Sequence, residues 1–106
     1  NGGRLLTFRA YAQRRPADSL QSLLKDDARM RDPRSAVDAY AEAWALNYFL
    51  INAKPKQYQA YVQQLAEKGP LVWDTPEVRL AEFRRAFGDD LTAFDREFLR
   101  YVSRMK

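Results

Sequence analysis

Residues 35–52 read SAVDAYAEAWALNYFLIN, and this stretch is the central element of the chain. At about 100° per residue its polar side chains fall within one narrow stripe of a helix, while nearly every other position is apolar. The residues of this stripe are Ser35, Asp38, Glu42 and Asn52. A helix that is apolar nearly all round is buried nearly all round. The stretch therefore predicts a central buried helix, with Glu42 on its solvated polar stripe.

Helical spacing also marks the chain before residue 35. We expect a helix over residues 4–14 and a short helical segment over residues 20–24, which Asp18 or Ser19 caps. Residues 26–34 are polar and contain a proline, so we expect a loop there, with partial helix as the alternative.

Prolines and glycines divide the rest of the chain into further helices. We expect one helix over residues 55–68 and another over residues 76–87, the latter capped by Asp74 or Thr75. Gly88 stops this helix in a left-handed conformation, and a last helix follows. Strand signals are missing, because there is no sustained alternation and few residues are β-branched. The sequence predicts a single all-α domain over residues 1–106, an irregular bundle of five or six helices around the central buried helix.

The composition excludes several classes of catalytic site. The 106 residues include no histidine and no cysteine. Without an imidazole or a thiolate, Ser-His-Asp and Cys-His catalysis are excluded, and so is nearly every kind of zinc site. We expect no catalytic residue, no metal ligand and no cofactor in this chain.

The net charge of +4 comes from 18 basic and 14 acidic side chains that are interleaved along the chain. Basic stripes occur on the last two predicted helices: Arg84, Arg85, Arg96, Arg100 and Arg104. Acidic residues interrupt both stripes, so we expect ordinary pairing between residues four apart and no nucleic-acid partner. The longest uncharged run, residues 43–53, is too short to cross a bilayer, and we expect no membrane span.

Two adjacent carboxylates and one amide each have two explanations, a binding site or a role in local helix structure. Asp89 and Asp90 precede the last predicted helix, and helix capping accounts for them better than a cation site, since their spacing matches no calcium loop. Asn47 lies on the apolar side of the central helix. It is either a buried amide bonded to backbone or tyrosine hydroxyls, or a contact for a missing partner domain.

Large aromatic residues at polar positions suggest a docking surface. Phe49 falls among the residues of the polar stripe, beside Ala45. Trp73 lies between Pro70 and Pro76, where it either pins this linker to the bundle or docks a partner. Ala45, Phe49 and Trp73 are therefore the candidate docking surface.

Two stretches carry a resemblance to a known family: residues 40–50, YAEAWALNYFL, and residues 83–98, FRRAFGDDLTAFDREF. Their order and separation resemble the C-terminal helical part of gluzincin-type zinc peptidase-like proteins, and most closely the bacterial domain of unknown function family 1570, over residues 34–101. The H-E-x-x-H zinc motif of these proteins does not occur here, and their third ligand, a glutamate on an earlier helix, has no match. Glu42 lies inside the later helix, so the resemblance carries no zinc ligand or catalytic residue into this chain.

The resemblance implies a non-catalytic scaffold that packs beside an active site built by an upstream domain of the same polypeptide, in an exported bacterial protein. The chain starts at Asn1 rather than at a methionine, which we interpret as a cut within a larger protein. The alternative function is a stand-alone helical module that binds a protein partner through exposed aromatic residues. Nucleic-acid binding is a weaker third hypothesis.

Overall fold

Seven α-helices make up the part of the chain that the computed structural model describes, residues 2–69 and 72–105. They are α1 (Gly2–Ala12), α2 (Ser19–Lys25), α3 (Ala28–Arg31), α4 (Ala36–Ala53), α5 (Pro55–Ala66), α6 (Pro76–Phe87) and α7 (Leu91–Ser103). No strand occurs among these residues, so the all-α fold class is confirmed. The additional element is the short helix α3, which lies in the stretch expected to be a loop with at most partial helix.

The corner between α6 and α7 is built by local chemistry that the sequence displays. The Thr75 side chain accepts a hydrogen bond from the amide of Val78 and caps α6, and the Asp90 side chain accepts one from the amide of Ala93 and caps α7. Gly88 has φ 114° and ψ 152°. Its positive φ was expected, but its ψ places it in an extended, essentially glycine-only region rather than in the left-handed helical region.

α4 lies at the centre of the bundle, where it packs against α1, α3, α5 and α7. The ring centroid of Phe49 lies 5.6 Å from that of Phe94 and 5.8 Å from that of Phe98, both on α7. The ring of Phe98 in turn stacks on Phe8 of α1 at 5.5 Å. All four rings are buried. Because offset and edge-on aromatic pairs are favourable beyond the area they bury, this cluster ties α1 and α7 to the central helix.

The orientation of α4 is the reverse of the one expected. Glu42 and Ala45 are 0% exposed and Phe49 is 1% exposed, so the stripe that carries them faces the core. The predictions that Glu42 is solvated, and that Ala45 and Phe49 belong to an exposed docking surface, are wrong. The physical reason is that arginines from two other segments neutralise Glu42, and a carboxylate that is paired and hydrogen-bonded can be buried.

The opposite side of α4 is exposed although it is apolar. Val37 is 70% exposed, Ile51 51% and Tyr40 49%. The expectation that α4 is buried nearly all round is therefore wrong for this side of the helix. The bundle covers one side of its central helix and leaves much of the other side exposed.

Candidate functional site

Glu42 is the centre of a buried ionic cluster. Its Oε2 accepts hydrogen bonds from Nη2 and Nε of Arg15, at 2.6 and 3.2 Å. Its Oε1 accepts from Oγ of Ser19 at 2.7 Å and from Nη1 of Arg29 at 2.9 Å. Arg15 lies between α1 and α2, whereas Ser19 starts α2 and Arg29 belongs to α3. One carboxylate of α4 thus holds three neighbouring segments.

Arg15 extends the cluster to α7. Its guanidinium makes a two-pronged contact with Asp95, with both nitrogen–oxygen distances 2.8 Å. Its central carbon also lies 5.9 and 5.8 Å from the ring centroids of Phe8 and Phe98. Burial alone would lower the pKa of Arg15, but its hydrogen bonds and attraction to Asp95 and Glu42 outweigh burial and raise it. The guanidinium therefore keeps its charge inside the fold.

The second arginine of the cluster is held equally closely. Nη2 of Arg29 donates to the hydroxyl of Tyr11 at 3.1 Å, and this hydroxyl lies 2.8 Å from Oγ of Ser19. Two arginines balance two carboxylates, so the cluster is neutral. Both oxygens of Glu42 are already engaged by protein donors, which leaves no open position of the kind that a general base or a metal ligand needs. The arrangement is a structural cross-link.

The exposed side of α4 is the second candidate site. It carries five apolar residues spaced three or four positions apart: Val37, Tyr40, Trp44, Tyr48 and Ile51. Four of them are exposed, whereas Trp44 is partly buried and packs against the core. We call these residues the aromatic face of α4. At about 1.5 Å per residue the face is roughly 21 Å long. None of its residues is charged, and the ring centroids of Trp44 and Tyr48 lie 5.5 Å apart.

Concave features adjoin both ends of the aromatic face. A groove of about 420 Å³ continues the face onto α7, and its lining residues are Tyr48, Tyr101, Arg104 and Met105. The rings of Tyr48 and Tyr101 lie 6.4 Å apart in this groove. A second depression of about 310 Å³ lies at the other end, between α1 and the side chains of Val37 and Tyr40. Side chains of a partner can therefore enter the surface at both ends of the face.

Asn47 lies at the edge of the aromatic face and is exposed. Its Nδ2 donates to the carbonyl oxygen of Ala43 at 2.9 Å, and its Oδ1 accepts from the hydroxyl of Tyr58 on α5 at 3.2 Å. The predicted bonding partners, a backbone carbonyl and a tyrosine hydroxyl, are confirmed, whereas the predicted burial is wrong. The amide ties α5 to α4.

Trp73 lies apart from the aromatic face. It is 79% exposed and lines a pocket of about 240 Å³ that α5 and α6 share. In this pocket Lys68 donates to both Asp74 and Glu82, and these hydrogen bonds raise the pKa of Lys68. Burial, and then the charge of Glu82, raise the pKa of Tyr61 at the same place. The structure does not bring Trp73 together with Ala45 and Phe49, and its docking role stays a prediction.

The basic stripes do not form the pairs expected of them. Asp95 is bound by Arg15, Glu97 by Lys54 at 3.1 Å, and Glu82 by Lys68. The acidic residues that were expected to pair with arginines of α6 and α7 are therefore engaged with other segments. Within residues 2–69 and 72–105, no ion pair involves an arginine of either stripe.

Comparison with known protein families finds a family model that matches the chain. The family model described as protein of unknown function (DUF1570) matches residues 1–72. The chain belongs to this family. The match includes the first of the two resembling stretches, residues 40–50, and the whole of the aromatic face, whereas the second stretch, residues 83–98, lies beyond it. No curated protein and no solved structure matches the chain.

The described residues contain neither a group of side chains that could hold a metal ion nor a membrane-spanning helix. No group of three or more histidine, cysteine, aspartate or glutamate residues there is arranged to hold a metal ion. No helix of residues 2–69 and 72–105 is long and apolar enough to cross a membrane.

The sequence analysis predicted neither the buried ionic cluster nor the aromatic face, although the sequence contains one signal for the orientation of α4. Alanines at positions 39, 41 and 45 flank Glu42 on the inner side of α4, and all three are buried. Small side chains let neighbouring elements approach a helix closely. Tyr40, Trp44 and Tyr48 lie on the other side of α4, whereas Phe49 is buried with the alanines. The small residues around Glu42 are therefore the feature of the sequence that marks the buried side of this helix.

Proposed function

We propose that this chain is a non-catalytic helical scaffold domain that docks, through the aromatic face of α4, against the rest of an exported zinc peptidase-like polypeptide. The observation that carries the proposal is the exposed and uncharged aromatic face on the helix around which the whole fold is arranged. The occupant of this face is an apolar surface of the same polypeptide.

The composition of the aromatic face supports a permanent contact. The fully buried centres of interfaces are poor in charge and rich in tyrosine and tryptophan, and obligate interfaces resemble a domain core cut in half. Val37 and Ile51 are more than half exposed in this chain. An apolar partner would remove these two side chains from water. A surface that is covered only briefly more often carries charged residues among its apolar ones.

The absence of imidazole and thiolate supports the non-catalytic part of the proposal, and so does the engagement of Glu42 and Asp95 with arginines. The resemblance to gluzincin-type proteins supports the identity of the partner, an upstream peptidase-like domain, and the exported location. The chain's own contribution is then to hold one side of that domain.

The test measures whether the longer protein covers the aromatic face. The chain has no cysteine, so Ile51→Cys places a single reporter thiol on the face, and Val62→Cys places a control on α5. The two native residues are similarly exposed, 51% and 44%. The modification rate of each thiol by a maleimide is measured by mass spectrometry of the peptide that contains it.

Both thiols should react at similar rates in the isolated chain. In the full-length protein, Ile51→Cys should react at about one tenth of its rate in the isolated chain, or more slowly still. A tenfold reduction corresponds to about 1.4 kcal/mol of docking free energy. The Val62→Cys rate should stay unchanged. Equal rates for Ile51→Cys in the isolated chain and in the full-length protein would remove the proposal.

A further inference from the structure

Two arginines of α7 and the arginine that directly follows it form one edge. Arg96, Arg100 and Arg104 are four positions apart, and all three are exposed. They lie on the side of the helix away from its buried residues Phe94 and Phe98. We call them the arginine edge. At about 1.5 Å per residue they follow one another at roughly 6 Å intervals along the helix.

The carboxylates nearest to the arginine edge in sequence are already engaged. Asp95 is bound by Arg15 of the buried cluster, and Glu97 is bound by Lys54, which follows α4. None of the three arginines forms an ion pair with a residue in 2–69 or 72–105. The edge is therefore a row of positive charge that the described fold does not neutralise.

The arginine edge is continuous with the aromatic face. Arg104 lines the same groove as Tyr48 of the face, whose ring lies 6.4 Å from that of Tyr101 on α7. Tyr101 and Met105 supply the rest of the groove, which has a volume of about 420 Å³. One partner segment that fills this groove therefore contacts both an apolar surface and the guanidinium group of Arg104, the last arginine of the edge.

We infer that the segment covering the aromatic face is an amphipathic helix that is acidic along one side. Its carboxylates pair with Arg100 and Arg104, and its adjoining apolar side chains enter the groove beside Tyr48. Arginines one helical turn apart match carboxylates one turn apart on a helix lying alongside, and guanidinium–carboxylate pairs are frequently bidentate. This inference rests on the proposed function, because it names the chemistry of the partner at the same surface.

The surroundings of the arginine edge favour an acidic peptide over a nucleic acid. A phosphate backbone is bound mainly by many basic contacts spread along its length. Here the row of three arginines borders an uncharged aromatic surface, and Glu97 lies on the same helix. Interfaces of this composition, apolar with arginine at the margin, are typical of protein partners.

The test uses the full-length protein that carries the Ile51→Cys reporter. Arg100→Glu reverses one charge of the edge, and Arg85→Glu on α6 is its matched control. Both arginines lie in the last turn of their helices, so both changes disturb the helix dipole equally. Arg100→Glu should accelerate modification of Ile51→Cys about fivefold, because attraction to the partner becomes repulsion, whereas Arg85→Glu should not. Raising the salt concentration should accelerate modification of Ile51→Cys in the protein that retains both Arg100 and Arg85.

The outcomes separate the two proposals. If Ile51→Cys is not protected in the full-length protein, the proposed function fails. If Ile51→Cys is protected and Arg100→Glu behaves like Arg85→Glu, the face is docked but its partner is not acidic, and this inference alone fails. The inference is also overturned if the isolated chain binds duplex DNA or phosphatidylcholine–phosphatidylserine vesicles and Arg100→Glu, but not Arg85→Glu, abolishes that binding.

Discussion

Glu42→Gln is the sharpest test of the buried cluster. The carboxylate is 0% exposed and accepts four hydrogen bonds, two of them from Arg15. Glutamine fills the same space but is neutral, and its amide group presents two hydrogen-bond donors where the carboxylate presents acceptors only. One of the two guanidinium groups, that of Arg15 or that of Arg29, would then face a donor, and both would lose a negative partner.

The expected cost follows from the burial of the arginines. The side chain of Arg15 is 4% exposed and that of Arg29 is 16% exposed, so water cannot readily replace the lost carboxylate. Removing one partner of a buried ion pair costs about 3–5 kcal/mol, because an uncompensated charge remains. Asp95 still neutralises Arg15, which places the expected loss near the lower end, at about 3 kcal/mol. Domains of this size have a total unfolding free energy of about 5–15 kcal/mol, so the fold survives but is strongly weakened.

Urea denaturation followed by far-ultraviolet circular dichroism measures this loss directly. In thermal unfolding it corresponds to a fall in melting temperature of roughly 10–20 °C. Glu97→Gln is the control, since Glu97 is also a helical glutamate in an ion pair but its side chain is 53% exposed. This control should cost at most about 1 kcal/mol. If Glu42→Gln costs no more than Glu97→Gln, then Glu42 is solvated and the inward orientation of its side of α4 is wrong.

Three further predictions concern the core, the corner and alkaline stability. Phe49→Ser should cost about 3–5 kcal/mol in the isolated chain, because the ring is buried against α7, and an unfolding free energy within about 0.5 kcal/mol of wild type would contradict that burial. Gly88→Ala should cost about 1–3 kcal/mol through backbone strain, although an added Cβ would meet no atom within 4 Å, whereas Gly69→Ala should be nearly neutral in the same melting experiment. The raised pKa of Tyr61 means that the folded chain keeps a proton that the unfolded chain releases above about pH 10, so stability falls as the pH rises through that range. Tyr61→Phe should make this fall shallower between about pH 9 and pH 11 in urea titrations, and an unchanged slope would refute the shift.

The fold was largely predictable because the ends of its helices carry local chemistry. Thr75 and Asp90 are side-chain caps whose role depends only on the residues that follow them, and Gly88 is a stop signal of the same local kind. The four-residue helix α3 was expected only as the alternative to a loop, because a single turn has no hydrophobic period to detect. Its role comes from Arg29, which reaches Glu42 across the fold.

The candidate site was less predictable because it depends on contacts between distant parts of the chain. A helical projection treats a glutamate as solvated, and within α4 only the small alanines around Glu42 indicate otherwise. The partners of Glu42 lie 27 and 13 positions earlier, at Arg15 and Arg29. Tertiary pairing of this kind overrides local polarity, since a buried charge is acceptable once it is paired and hydrogen-bonded. Trp73, by contrast, lies in a linker and carries no charge that tertiary pairing could bury, and it is exposed.

The buried carboxylate and the exposed aromatic face are two consequences of one packing arrangement. Glu42 and Ile51 lie about 180° apart around α4, so the side that closes on the ionic cluster necessarily turns the aromatic residues outward. A change on the inner side acts on the fold of this domain, whereas a change on the outer side acts on whatever covers it. Substitutions at separated positions with no shared partners are usually additive. Glu42→Gln should therefore weaken the isolated chain and the full-length protein alike, and Ile51→Asp should weaken only the latter. A loss of more than about 1 kcal/mol from Ile51→Asp in the isolated chain would show that the outer side already contributes to this domain's own core.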